Sequence, residues 1–168
     1  GTSVGILTFR DSVDETIWSQ EFNLISPVGE RYSWILGAYY QSDEYNFLPG
    51  EFVIGVPEGS PFSEYTLEGT NPKDATAFFG QISFDITNDI QLEVGARYSE
   101  HTTTNHISVV QYGTPIEQDQ KAEFSKTTGK VSLNWNVNDD NFLYAFAASG
   151  FRPGGLNVPV GFGVPEPF

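Results

Sequence analysis

The chain has 168 residues, and its 22 acidic against 8 basic side chains give a net charge of −14. So few Lys and Arg argue against nucleic acid as a partner, because gripping phosphates needs clustered positive charge. The absence of cysteine excludes disulfides and thiolate metal or nucleophile sites, and no apolar run approaches the roughly 20 residues of a transmembrane helix.

Period-two alternation predicts six strands. The first covers about residues 16–25 and ends at the turn Ser26–Glu30. The second, about 31–42, sets Trp34, Leu36, Ala38 and Tyr40 on one side. Residues 43–73, rich in Gly, Pro and Glu, read as a long loop. Strands three (74–86) and four (90–106) form a hairpin around Thr87-Asn88-Asp89. One face of it carries Phe78, Ile82, Phe84 and Ile86, then Ile90, Leu92, Val94, Ala96 and Tyr98. The other carries Gln81, Ser83 and Asp85, then Gln91, Glu93, Arg97 and Ser99. A second long loop, 107–120, precedes strand five at 121–137, where Val131, Leu133, Trp135 and Val137 oppose Lys130, Ser132, Asn134 and Asn136. The turn Asn138–Asn141 leads to strand six, 142–149. Beyond it, "GFRPGGLNVPVGFGVPEPF" holds too much Gly and Pro for a central strand.

Short and long connections alternate along this order. In an up-and-down meander all the short turns then lie at one end of the sheet and all the long loops at the other, as in outer-membrane barrels. The strands are also longer than the 5–6 residues usual in globular domains. The expected fold is therefore all-β, an antiparallel meander forming part of a membrane barrel. In it Phe78, Ile82, Phe84, Ile86, Ile90, Leu92, Val94, Val131, Leu133 and Trp135 face lipid, and the opposite polar face lines a wet interior. Tyr98, Trp135, Phe142 and Tyr144 lie near strand ends, where interfacial aromatic girdles belong. Two alternatives fit the pattern less well. The windows "WILGAYY", "AFFGQISF" and "NFLYAFAA" have the character of cross-β segments, so a fragment could stack with copies of itself into an extracellular filament. A soluble β-sandwich binding module is the other.

Chemistry-bearing residues are sparse. His101 and His106, the only histidines, are five apart and so point to opposite faces of one strand, against a shared metal site. The Glu-rich stretch between strands two and three lacks a calcium-loop pattern and reads as a solvated loop. "FRPGG" is not followed by a helix and reads as strand termination, not a phosphate cradle. No nucleophile, base or paired carboxylates can be placed together, so neither catalysis, a cofactor nor a metal is expected.

Three stretches carry a resemblance: "SQEFNLISP…RYSWILGAYYQSD", "AFFGQISFDITNDIQLEVGARYSEH" and "KVSLNWNVNDDNFLYAFAASGFRPGGLN". In order, they resemble successive parts of TonB-dependent outer-membrane receptors. Asp85–Asp89 matches the family's turn, Gly95–Tyr98 its "GxRY" ascent, and Gly150–Gly155 its "GFRPGG" block. The resemblance implies a 22-stranded barrel around an N-terminal plug. Such a barrel imports iron–siderophore complexes, cobalamin or oligosaccharides, with outer-membrane lipid outside and the TonB system supplying energy. The plug, the TonB box and a regular C-terminal strand are not in this sequence, and Gly1 reads as a cut or engineered end. Six strands are about a quarter of such a barrel and cannot close, the smallest membrane barrels having about eight. Within a receptor, the loop aromatics Tyr45, Phe47, Phe52 and Tyr65 become candidate cargo contacts.

Overall fold

The computed structural model describes residues 7–27, 29, 31–54, 64–111 and 114–157. Among these residues the structure is one antiparallel sheet without helices. In chain order its strands are β1 (Leu7–Ile25), β2 (Tyr32–Ile54), β3 (Glu64–Thr70), β4 (Lys73–Asp85), β5 (Ile90–Gln111), β6 (Thr114–Asn138) and β7 (Asn141–Ala148). Each strand pairs with the next, except that β3 and β4 both lie between β2 and β5. They are two halves of one strand position, so seven strands fill six places in an open up-and-down meander. The described strands form one sheet, not the two packed sheets of a sandwich.

Asn71 and Pro72 cause the break. Proline cannot donate to a ladder, but its carbonyl accepts from the Thr104 N–H at 3.0 Å, and the Asn71 N–H donates to Tyr45 O at 2.7 Å. The Asn71 side-chain amide bridges the gap, donating to Thr104 O at 2.9 Å and to Thr103 Oγ1 at 3.3 Å, with Asn105 Oδ1 a further acceptor. Asn71→Ala strips these part-buried acceptors of their donor. The expected cost is about 1–3 kcal/mol, read as a lower denaturation midpoint of the complete barrel together with faster exchange of the Thr104 amide.

Register fixes which side chains share a face. Paired residues point the same way, and the ladder joins Trp34, Ile82, Val94, Val131 and Ala147 in one row. Leu24, Leu36, Gly80, Ala96 and Gly129 form the next row toward the long-strand end. These rows make a continuous apolar outer face. The alternate rows, such as Ile35, Gln81, Gly95, Lys130 and Ala148, form a more polar inner face.

The strands run further than the alternation suggests. Most of 43–73 and 107–120 is strand, not loop: β2 continues to Ile54, β3 covers Glu64–Thr70, β5 reaches Gln111 and β6 starts at Thr114. Only 55–63 and 112–113 of those stretches fall outside the described residues. The reason is a switch of parity. Up to Tyr98 the outward positions of β5 are apolar; beyond it they are Glu100, Thr102, Thr104, His106 and Ser108. The apolar residues Ile107 and Val109 now point inward, where they are 2% and 1% exposed. A pattern that reverses midway looks like lost alternation, although the ladder is unbroken from Ile90↔Trp135 to Gln111↔Thr114.

Two further expectations change. Phe142 and Tyr144 pair with Asn136 and Asn134, so they lie on the inner face, not in an outer girdle. Strand β7 is apolar on both faces, and alternation could not distinguish them. Of the three windows read as cross-β segments, two sit in β2 and β4, whose backbones are paired on both sides; "NFLYAFAA" alone lies on an edge strand.

Candidate functional site

The site is the inner wall where β2, β4, β5 and β6 leave the apolar band. Inward positions here carry polar side chains that are nonetheless covered: Asp43, Ser99, Thr103, Asn105 and Gln118 are all buried. Part of the cover comes from the chain itself. After β7 the segment 151–157 crosses back over this wall, and Asn157 O accepts long hydrogen bonds from Asn105 Nδ2 (3.5 Å) and Gln118 Nε2 (3.4 Å). Phe151 meets the His101 ring edge-on, with centroids 5.7 Å apart. The "FRPGG" stretch thus ends a strand, as its composition predicts, and also roofs a cavity of about 410 Å³ with Pro153–Leu156.

The cavity wall combines rings, amides and charges. Tyr39 donates its hydroxyl to Gln41 Oε1 at 2.6 Å. Asp43 lies 3.7 Å from Lys73 Nζ through one carboxylate oxygen, while the other, Oδ1, is buried without a hydrogen bond. Lys73 also lies over the Tyr45 ring at 5.1 Å. Arg97 lies against two rings, 5.4 Å from the Phe79 centroid and 5.7 Å from that of Tyr39. Its Nε donates to Ser99 Oγ at 3.0 Å. His101 sits above the apolar band, at a level where the outward neighbours are Glu100 and Thr102. Burial, and then the charge of Arg97, lower its pKa below the ordinary histidine value, so the imidazole is neutral at pH 7.

The residues singled out from sequence are distributed as follows. Phe78, Ile82, Phe84, Leu92, Val94, Val131, Leu133, Ile90 and Trp135 share the outer face through the pairs Ile82↔Val94, Phe84↔Leu92, Leu92↔Leu133 and Ile90↔Trp135. Ile86 is exposed in the turn that follows β4. The four aromatics expected on a loop are on strands. Tyr45 and Phe47 stack edge to face on the inner side at 4.9 Å, and Phe47 lines the cavity. Phe52 and Tyr65 are register partners across β2 and β3, and their side chains lie outside the described ones. His101 and His106 point to opposite faces: His106 pairs with Asp119 at 2.5 Å on the outer side. Among the described residues no three His, Cys, Asp or Glu are grouped to hold a metal.

Sequence reasoning did not identify Arg97, Asp43 or Asn71 as members of one wall. Arg97 was visible as an inward residue of the hairpin, but its ring contacts are cross-strand and need the register.

Comparison with known proteins gives two results. A family model described as the β-barrel of TonB-dependent-receptor-like proteins matches residues 3–164. The fold is also similar to the crystal structure of the ferric yersiniabactin uptake receptor FyuA from Yersinia pestis, with a TM-score of 0.80 and 18% identity. That match takes in 99% of this chain and 26% of the receptor, so this chain spans about a quarter of its length. With the family model matching nearly the whole meander, the chain belongs to the TonB-dependent receptor family, as part of its β-barrel.

Proposed function

We propose that this chain is a stretch of barrel wall in an outer-membrane importer of a scarce nutrient, driven by the TonB system. The observation that carries the reading is the two-faced register: one sheet, apolar outside and polar inside, with the short turns all at one end. The outer residues Phe78, Ile82, Phe84, Ile86, Ile90, Leu92, Val94, Val131, Leu133 and Trp135 then contact lipid, and the inner wall faces the passage. Tyr45 and Phe47, with Phe52 and Tyr65 further along the same extension, are the aromatics we assign to cargo contact. The cargo classes are iron–siderophore complexes, cobalamin and oligosaccharides; the fold is shared with a ferric siderophore receptor, which makes a ferric siderophore the first probe to try.

The test is uptake by cells carrying or lacking the complete receptor. Loss of the receptor should reduce uptake of labelled ferric siderophore to background, and loss of TonB should do the same. Unchanged uptake of all three cargo classes in the deletion strain would overturn the reading.

A further inference from the structure

Arg97 is a positive charge on the inner wall of a strongly acidic chain. The described ion pairs use Lys73 with Asp43, Lys121 with Glu123 and Lys130 with Glu93, and Asp119 is taken by His106. Arg97 has no carboxylate within ion-pair distance among the described residues, although acidic side chains outnumber basic ones 22 to 8. Inward acids on this wall lie against other groups: Asp43, which shares the cavity, lies 3.7 Å from Lys73 through one oxygen. Glu21, opposite Tyr39 on β1, accepts from Asn23 Nδ2 at 2.7 Å, and Glu93 takes Lys130 Nζ at 3.1 Å. Burial first, and then the charge of Arg97, lower the pKa of the neighbouring His101.

The guanidinium is also pre-positioned. It lies against the rings of Phe79 and Tyr39, and Ser99 takes Nε, leaving the terminal nitrogens as the free donors. It borders both the roofed cavity of about 410 Å³ and a more open recess lined by Gln81, Thr128 and Lys130. A planar fork with two unengaged donors beside aromatic rings, and no acid within ion-pair distance among the described residues, matches the geometry of a carboxylate. A guanidinium whose terminal nitrogens are unengaged can take a carboxylate without first giving up another partner.

We propose that Arg97 is the receiving site for a carboxylate that comes from outside this chain. Two sources share that chemistry: a carboxylate-bearing iron chelate in the passage, or an Asp or Glu of another segment of the receptor inside the barrel. The proposal rests on the reading that this face lines a receptor's interior.

The deciding experiment is a structure of the complete receptor, purified without added chelate and again with ferric citrate as the probe. A chelate oxygen within hydrogen-bond distance of the Arg97 guanidinium assigns the solute source; a protein carboxylate there in both states assigns the internal one. In the first case Arg97→Gln should weaken ferric citrate binding at least tenfold, with Arg97→Lys recovering part of it and the thermal midpoint unmoved. In the second, Arg97→Gln should lower the midpoint by an amount that shrinks at high salt. If Arg97 faces the interior and meets only water in both structures, this proposal fails and the import reading stands. If Arg97 does not face a barrel interior, both fail.

Discussion

Leu92→Arg is expected to destabilise the complete barrel in a bilayer by up to about 2–4 kcal/mol, the cost of a cation on the lipid face that is greatest at the midplane. Leu92 stands in an outward row with Phe84 and Leu133, well inside the apolar band. No acidic side chain occupies that row to receive the new charge. The same substitution at Thr104, also outward but beyond the parity switch, should cost only about 0–1 kcal/mol. Chemical unfolding of both variants in lipid vesicles separates the two sites. Equal losses would mean that the outer face does not meet lipid in the way the register implies.

Gly69→Ala should be the most damaging change in the upper extension. Gly69 lies between Phe47 and Ile107 in the ladder, and its φ of +149° is a conformation side chains rarely adopt. A Cβ there would come within 2.8 Å of Ile107 Cα and closer still to the His106 carbonyl, both backbone atoms with nowhere to retreat. The strained backbone alone is worth about 1–3 kcal/mol, and separating β3 from β5 adds to it. The readout is amide exchange at Ile107 and Ser108, which should accelerate while that at Val94 stays slow. Gly150→Ala is the control, because a Cβ there meets nothing within 4 Å; it should change stability by no more than about 0.5 kcal/mol.

The sequence made the meander and its outer face legible wherever alternation persists. Phe84, Leu92 and Leu133 could be placed together because the turn at Thr87–Asp89 is short and leaves little freedom of register. What was not legible lies above Tyr98. There, Glu100, Thr102 and Thr104 replace the apolar outward residues, and Gly, Pro and Glu in 43–73 look like punctuation, yet the ladder continues. Pro49 sits where the β2–β3 register shifts, and Pro72 where β3 gives way to β4, so each proline marks an irregularity within pairing and not its end. The inner site was hidden for another reason: Tyr39, Phe79 and Arg97 come from three strands, and the roof over the neighbouring cavity comes from 151–157.

The parity switch gives the wall a water line of its own. From Ile90 to Tyr98 is about 27 Å along the strand at about 3.4 Å per residue, or about 20 Å of depth once tilted by about 40°. That is close to the thickness such walls span, so immersion depth is written into the order of odd and even positions. Above the line Ile107 and Val109 turn their apolar surface inward, so the outward positions of β5 there carry polar side chains. Shifting the register of β5 by one residue would flood the dry side and grease the wet one at the same time. The protruding sheet therefore holds the barrel at a set height.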